Sequence, residues 1–318
     1  MLIWAAFIFL VFIFLALDLG VFNKRDHVIR SKEASIWTAL WVTVAMSFSG
    51  IIYWLFSSGI IDNPTDLTPG KAVLKYITGY LIELSLSIDN VFVIAVIFSA
   101  LGIPAVYQHR VLFWGILGAI VFRAFMILFG VALINEFEWI IYVFGIFLLY
   151  TAFKMLRSGN SDFNPKESFV FKQIKKIYPI TTVISGHDFF VKKRGITAAT
   201  PLFVALVVIE ITDVMFALDS IPAILAITAD PFIVFSSNIM AILGLRSMYF
   251  LVSRMLANFR FIHYSLVVIL AFVGIEMLLS HKFHPPEWVS LAVIVVSLLS
   301  GVVVSLLIPQ KEEVTEDN

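Results

Sequence analysis

The 318-residue sequence contains no cysteine, and only 14% of its residues are charged. Without cysteine the chain can form no disulfide, no thiolate metal site and no cysteine nucleophile. Soluble domains are about one quarter charged and about half apolar, whereas 60% of this chain is hydrophobic and its mean hydropathy is +0.98. The composition therefore excludes a water-soluble fold.

Long apolar runs occupy most of the chain. A bilayer core about 30 Å thick is crossed by roughly 20 mostly apolar residues in a helix, and unbroken runs exclude the alternating pattern of a membrane barrel. The sequence predicts one all-α, polytopic membrane domain over residues 1–318. Its nine transmembrane helices are expected at residues 2–22, 36–57, 74–100, 110–134, 138–156, 199–227, 232–256, 262–279 and 287–308.

The basic residues predict how the chain is oriented. Of the 22 Lys and Arg residues, seventeen lie after odd-numbered spans or in the C-terminal tail, three lie on the opposite side, and two lie within spans. By the positive-inside rule the N-terminus is outside and the tail is cytoplasmic. The first span lacks a preceding basic region, so we expect it to be retained as an anchor rather than cleaved as a signal peptide.

The one long connection, residues 157–198, is expected to be cytoplasmic. Phe169, Phe171, Ile174 and Ile177 alternate there with lysines. This pattern suits an interfacial helix on anionic lipid, and a solvated basic loop explains it equally well. The aromatic and β-branched residues of 188–196 predict a short hairpin with its turn near Gly195.

Ionisable residues inside the predicted spans are the main functional candidates. Each costs at least about 2.5 kcal/mol to insert into a bilayer, so such residues are usually retained for function. The third and sixth spans each carry an acidic cluster, and Asp18 lies near the cytoplasmic end of the first span. The clusters comprise Glu83, Asp89 and Asn90 in the third span and Glu210, Asp213 and Asp219 in the sixth.

The two clusters align at a shift of 130 residues, which places Glu83 on Asp213 and Asp89 on Asp219. Downstream, the segment that ends at Arg123 resembles the one that ends at Arg246. The sequence thus predicts two three-helix repeats, spans three to five (74–156) and six to eight (199–279). Since span three runs inward and span six outward, the repeats are inverted, and such repeats place a substrate site near the bilayer midplane.

Helix geometry constrains the acidic clusters. Residues six apart are separated by about 9 Å along a helix, so one straight helix cannot direct Glu83 and Asp89 to one point. Antiparallel helices would place Glu83 level with Asp219 and Asp89 level with Asp213, giving two carboxylate layers unless the helices unwind between them. Pro222 removes an intrahelical donor, so we expect the sixth span to be broken there. Ser87, Asn90 and Ser220 are then available to satisfy freed backbone groups or to act as neutral ligands.

The candidate ligands are all hard oxygen donors, which suit Mn²⁺, Mg²⁺ or Ca²⁺ better than soft metals. The alternative is that the carboxylates form structural ion pairs with Arg123 and Arg246. Two arginines cannot neutralise five acids, so about three negative charges remain for cations or protons. We expect both arginines to tie helices together rather than to contact substrate, and Glu276 to be an interfacial side chain.

These segments resemble the TerC family of bacterial membrane proteins, closest to its Alx branch, over nearly the whole chain. The resemblance rests on Glu83 to Asn90, on Glu210 to Ala226, and on the segments 230–246 and 187–191. It implies a member of the LysE-like transporter group in the bacterial inner membrane, with Mn²⁺ efflux from the cytoplasm and a link to tellurite resistance. The family's metal-handling residues carry over to Glu83, Asp89, Asn90, Glu210, Asp213 and Asp219.

We therefore expect a secondary transporter that exports Mn²⁺, with Ca²⁺ or Mg²⁺ as alternative ions and proton exchange as the natural coupling. No Walker motif occurs, so ATP hydrolysis is not expected, nor is any enzyme activity, prosthetic group or nucleic-acid partner. The competing hypothesis is a non-transporting scaffold or assembly factor for metal loading or stress response. An intramembrane aspartyl protease is disfavoured, because no span has a Tyr-Asp or Gly-x-Gly-Asp pair.

Overall fold

The computed structural model describes residues 2–22, 31–63, 66–137, 139–158, 173, 179–181, 184, 186–193, 196–253, 261–279 and 286–307. Over these residues the chain forms a polytopic all-α membrane protein with one small hairpin. The helices are α1 (Leu2–Phe22), α2 (Ser31–Ser57), α3 (Pro69–Ala100), α4 (Ala105–Glu136), α5 (Ile140–Ser158), α6 (Pro201–Ile227), α7 (Pro231–Leu243), α8 (Leu245–Val252), α9 (Ile262–Leu279) and α10 (Glu287–Leu307). The strands are β1 (Phe190–Lys193) and β2 (Ile196–Ala199).

Proline marks the start of three central helices. Pro69 and Pro201 occupy the first turns of α3 and α6, each after an extended threonine, and Pro231 follows Asp230 at the start of α7. Proline suits this position because the first backbone N–H groups of a helix have no intrahelical acceptor. The Asp230 carboxylate accepts two of these free donors, from the N–H groups of Phe232 and Ile233 at 3.0 Å each.

The central helices pack in matching pairs. Helix α3 packs on α7, α6 packs on α4, and α3 and α6 also contact each other. The most extensive contact joins α5 and α9. There Gly145 and Gly274 face each other, and a Cβ atom added to either would lie 3.0 Å from the other's carbonyl oxygen. Small residues at such a contact allow two membrane helices to approach closely.

In the described residues, seven helices are long and apolar enough to cross a membrane, or eight if α7 and α8 form one span. These two helices are bent by 45° at Gly244, so the seventh expected span is not straight. The apolar part of α1, Leu2–Asp18, is shorter than the other candidate spans. The count of nine spans stays a prediction.

The expected break at Pro222 is wrong. Helix α6 runs unbroken from Pro201 to Ile227, with Pro222 inside it. Proline removes one backbone donor, but membrane helices tolerate this where neighbouring helices hold both sides of the proline in place. Pro222 and its neighbours Ile221 and Ala223 are buried against the rest of the bundle, which explains why the helix continues.

The hairpin predicted near residues 188–196 is confirmed. Strands β1 and β2 pair antiparallel, with Phe190 opposite Ala199 and Lys193 opposite Ile196. Next to the hairpin, the Arg110 guanidinium at the start of α4 lies 5.1 Å from the centre of the Phe189 ring. The hairpin region therefore contacts the start of α4. The proposed interfacial helix, around residues 169–177, lies outside the described residues except for Gln173.

Candidate functional site

The buried guanidinium of Arg123 is the centre of the candidate site. Arg123 lies in the middle of α4 with a relative exposure of 1%. Its Nε and Nη2 donate to the two Asp213 carboxylate oxygens at 3.2 and 2.9 Å, and Nη1 donates to Glu83. The same Nη1 also donates to Asn238 Oδ1 at 3.0 Å and to Ser220 Oγ at 3.3 Å. One side chain thus joins oxygen atoms from α3, α6 and α7.

This arrangement follows from the cost of burying charge. A charged group removed from water is stable only with opposite charge and hydrogen bonds around it, and a planar guanidinium binds a carboxylate through two parallel bonds. Asp213 supplies that two-pronged contact and Glu83 supplies a second negative charge. Two carboxylates and one guanidinium make the cluster net negative while both acids are ionised, and neutral when one of them carries a proton.

Helix geometry without an unwound segment would put Glu83 and Asp213 in different carboxylate layers, and only this part of the arrangement falls on described side chains, because that of Asp89 is not described. Glu83 and Asp213 contact the same guanidinium, although Glu83 was expected to lie level with Asp219. The expectation considered only α3 and α6, whereas the long Arg123 side chain from α4 reaches both acids. Ser220, the neighbour of Asp219, lies in the cluster instead.

Glu210 lies one turn before Asp213 on α6 and packs directly on α4. Its carboxylate lies against Gly118, where a Cβ atom would be 2.1 Å from Oε1 and 2.4 Å from Oε2. A side chain at position 118 would therefore require this carboxylate to move. Its Oε2 atom is buried without a hydrogen bond from the described residues. Glu210 thus adds a third carboxylate beside the Arg123 cluster.

A cavity of about 20 Å³ lies next to the cluster, between α3, α4, α6 and α8. Asn90, Thr212 and Asp213 are its polar lining residues, and the rest of the wall is apolar. This volume is close to the minimum that holds one water molecule. The Asn90 Oδ1 atom is buried without a hydrogen bond from the described residues, so an acceptor is available where the cavity meets the cluster.

Asp219 lies apart from the Arg123 cluster. It accepts a hydrogen bond from Thr151 on α5 at 3.0 Å, and the positive charge of Lys154 on the same helix acts on it. The side chain of Asp89 lies outside the described residues. Ser87 is buried, and its hydroxyl has no hydrogen-bond partner within the described part of the chain. Of the six predicted ligands, the structure gathers Glu83, Asn90, Glu210 and Asp213.

The second buried arginine, Arg246, has a described partner outside this group of acids. It forms an ion pair with the Asp18 carboxylate of α1, and its Nη2 also donates to the Asp18 carbonyl oxygen at 2.8 Å. Arg246 therefore ties α8 to α1. Glu276, expected to be interfacial, accepts hydrogen bonds from Ser290 at 2.9 and 3.1 Å and so links α9 to α10.

Within the described side chains, which exclude Asp89, no group of three or more His, Asp or Glu residues is placed to hold a metal ion. Sequence reasoning missed Asn238 and Gly118, which shape the site, and Thr151, which binds Asp219 outside the Arg123 cluster. Asn238 is a fully buried amide after Ser236 and Ser237 in an otherwise apolar helix, and such an interruption is a detectable signal. Gly118 and Thr151 carried no sequence signal of their own, because only the fold shows what they contact.

The fold and its buried side chains define a multi-pass integral membrane protein with two acids and one arginine clustered between its central helices. Residues 68–313 match the model of the integral membrane protein TerC family. The chain belongs to the TerC family.

Several relatives match this chain over at least nine tenths of both sequences. The chain is 48% identical over 315 residues to the "Uncharacterized membrane protein STKORF319" of Myxococcus xanthus, covering 99% of this chain and 95% of that one. It is 43% identical over 299 residues to the "Putative membrane-bound redox modulator Alx" of Escherichia coli K12, covering 92% and 90%. A Rickettsia bellii membrane protein is 39% identical over 304 residues, covering 96% and 97%. No solved structure matches the chain.

Proposed function

We propose that this chain is a secondary transporter that exports a divalent metal ion, Mn²⁺ in the first place, from the cytoplasm. The observation that carries the proposal is the buried cluster of Glu83 and Asp213, two acids from different helices that share one arginine. Such a net negative centre is costly in a membrane unless a mobile cation or proton uses it. The proposal includes no catalytic step and no prosthetic group.

Matching features of the two halves support the proposed inverted repeats, 74–156 and 199–279. Helices α3 and α6 both start at a Thr-Pro pair, the α3–α7 contact matches the α6–α4 contact, and Gly145 faces Gly274 at a shift of 129 residues. That shift is within one residue of the 130 that aligns the acidic clusters. Rocking one repeat against the other would expose the site to each side of the membrane in turn.

The ligand chemistry supports Mn²⁺, Mg²⁺ or Ca²⁺, since carboxylate and amide oxygens suit all three. The choice of Mn²⁺ rests on the family resemblance. The ion would bind Asp213, Glu83 and Asn90, with Glu210 or Asp89 and retained water completing its shell. Protons are the proposed exchange partner, because metal must displace them from crowded carboxylates.

The name of the Escherichia coli relative mentions redox modulation. This chain has no cysteine, so thiol exchange by its own residues is excluded. An effect on cell redox balance would follow indirectly from altered metal content.

The proposed location is the bacterial inner membrane with the N-terminus outside and the tail inside, since the basic residues cluster in the connections assigned to the cytoplasm.

Flux in proteoliposomes tests the proposal. Purified full-length chain is reconstituted, and Mn²⁺ entry is followed by quenching of an enclosed dye, with Mg²⁺ and Ca²⁺ in parallel. Wild-type protein is expected to give saturable Mn²⁺ flux, and Glu83→Gln is expected to remove it. Absence of flux for all three ions would contradict the proposal. Cellular function that survives acid-to-amide changes but not shortening of residues 160–190 would favour the scaffold hypothesis.

A further inference from the structure

Arg123 occupies the place where a cation would make its best contacts. Its guanidinium is surrounded by oxygen atoms from Glu83, Asp213, Ser220 and Asn238. These carboxylate, hydroxyl and amide oxygens are also the donors that hard divalent cations prefer. A guanidinium has only hydrogen-bond donors, so it satisfies these oxygens as a metal ion would.

In this structure the guanidinium occupies the place from which one cation would contact both acids at once. Arg123 lies between Glu83 and Asp213, and the adjoining cavity of about 20 Å³ holds about one water molecule. Spare acceptors are nevertheless present. The Oε2 of Glu83 and the Oδ1 of Asn90 are buried without hydrogen-bond partners in the described residues.

We infer that Arg123 is a tethered cation that occupies the carboxylate pair when no metal is bound and is displaced when a divalent ion enters. The inference rests on the proposed function and names the step by which the ion gains access to Glu83 and Asp213. Asn238 and Ser220 lie on the Nη1 side of the guanidinium. These two neutral oxygens hold it after it leaves the acids.

Charge explains why a transporter would keep such a group. Two buried carboxylates without a counter-charge are strongly destabilising, so an empty site would resist the conformational change that resets the transporter. A tethered guanidinium supplies the missing charge without using an ion from solution. It also competes with the metal, since two cations near the same acids repel each other. Removing Arg123 should therefore tighten metal binding and slow the reset.

This expectation differs from that of a purely structural ion pair. If Arg123 only holds the helices together, its replacement disorders the acids and weakens metal binding. If it competes with metal, Arg123→Gln binds Mn²⁺ more tightly than wild type, by about tenfold, which corresponds to about 1.4 kcal/mol. The sign of the change in affinity separates the two explanations.

The experiment measures Mn²⁺ affinity of the purified full-length chain in detergent, from the electron paramagnetic resonance signal of free Mn²⁺. Wild type is compared with Arg123→Gln, Glu83→Gln and the double variant Arg123→Gln/Glu83→Gln. The double variant removes one positive and one negative charge together, so it remains informative where Arg123→Gln alone fails to fold. The control is Asp18→Asn/Arg246→Gln, which removes the other buried ion pair and should keep wild-type affinity.

If Arg123 is a tethered cation, Arg123→Gln should bind Mn²⁺ more tightly than wild type does. The double variant should likewise bind Mn²⁺ more tightly than Glu83→Gln does. The tethered-cation step is overturned if Arg123→Gln binds with unchanged or weaker affinity, or, where that variant is unfolded, if the double variant binds no more tightly than Glu83→Gln. Wild-type flux separates this failure from that of the proposed function. If wild type transports Mn²⁺ while the affinities move the wrong way, only the tethered-cation step is wrong. If wild type shows neither saturable binding nor flux, both are wrong.

Discussion

Arg123 and Arg246 end two similar segments in the two halves of the chain, and both are buried, yet their surroundings differ. Arg123 contacts Glu83 and Asp213 among the central helices. Arg246 contacts Asp18 on α1, a helix outside both proposed repeats. The difference shows how a chain with equal numbers of acids and bases can keep negative charge at its centre. If both arginines faced Glu83 and Asp213, those charges would cancel, but α1 holds one arginine away.

The largest expected effect is the difference between two variants, one that removes an acid beside Arg123 and one that removes the acid beside Arg246. Asp213→Asn should lower Mn²⁺ flux in proteoliposomes by tenfold or more, because a binding loss of about 1.4 kcal/mol already gives tenfold. Asp18→Asn should keep flux within about twofold of wild type, although leaving Arg246 without its carboxylate lowers thermal stability. Equal losses of flux in the two variants would contradict the distinction between the two sites.

Gly118→Ala should have the next largest effect. The new Cβ atom would lie 2.1 Å from Glu210 Oε1, so this carboxylate must move away from α4. We expect flux to fall several-fold with little loss of expression, measured in the same liposome assay. Gly50→Ala on α2 is the control, because nothing lies within 4 Å of its added Cβ. A Gly118→Ala variant as active as this control would mean that the position of Glu210 does not matter.

Variants at the contact between α5 and α9 test whether the two proposed repeats are related by symmetry, as the comparison of Arg123 with Arg246 assumes. Gly145→Ala and Gly274→Ala each bring a Cβ atom to 3.0 Å from the carbonyl oxygen of the opposite glycine. Overpacking of this kind costs about 1–3 kcal/mol. Because the two contacts mirror each other, we expect equal decreases in melting temperature. A large decrease in one variant and none in the other would contradict the proposed twofold relation.

The smallest expected effect concerns Asp219. Thr151→Val removes the hydroxyl that donates to this carboxylate, and one such hydrogen bond contributes about 1 kcal/mol. Since Asp219 lies apart from Arg123, melting temperature should fall by a few degrees while Mn²⁺ affinity stays unchanged. A clear change in affinity would place Asp219 in the ion site after all.

Much of the fold followed from the sequence for simple physical reasons. Apolar length and the rule that lipid-exposed backbone must be hydrogen-bonded internally were enough to predict the helical bundle. The aromatic and β-branched residues of 188–196 were enough to predict the hairpin. Sequence reasoning was wrong at Pro222, because a local breaking tendency was outweighed by burial on both sides of the proline. A bend of 45° lies at Gly244, between α7 and α8, where no residue pattern indicated a break.

The candidate site was predicted in composition but not in arrangement. Glu83 and Asp213 were identified because charge within a membrane is costly. Their common contact with Arg123 was not predicted, because a sequence does not show how far a side chain on a third helix reaches. The partner of Arg246 was missed for the same reason, since Asp18 is 228 residues away. Asn238 could have been identified from its polar triplet.

The most direct test of the central claim is the position of bound Mn²⁺ in crystals of the wild-type chain, located by its anomalous scattering. The account predicts one strong peak in coordination distance of Asp213 and Glu83, on the Asn90 side, with the Arg123 side chain moved toward Asn238. A peak beside Asp18 and Arg246 or beside Asp219 and Lys154, with the Arg123 contacts intact, would contradict it.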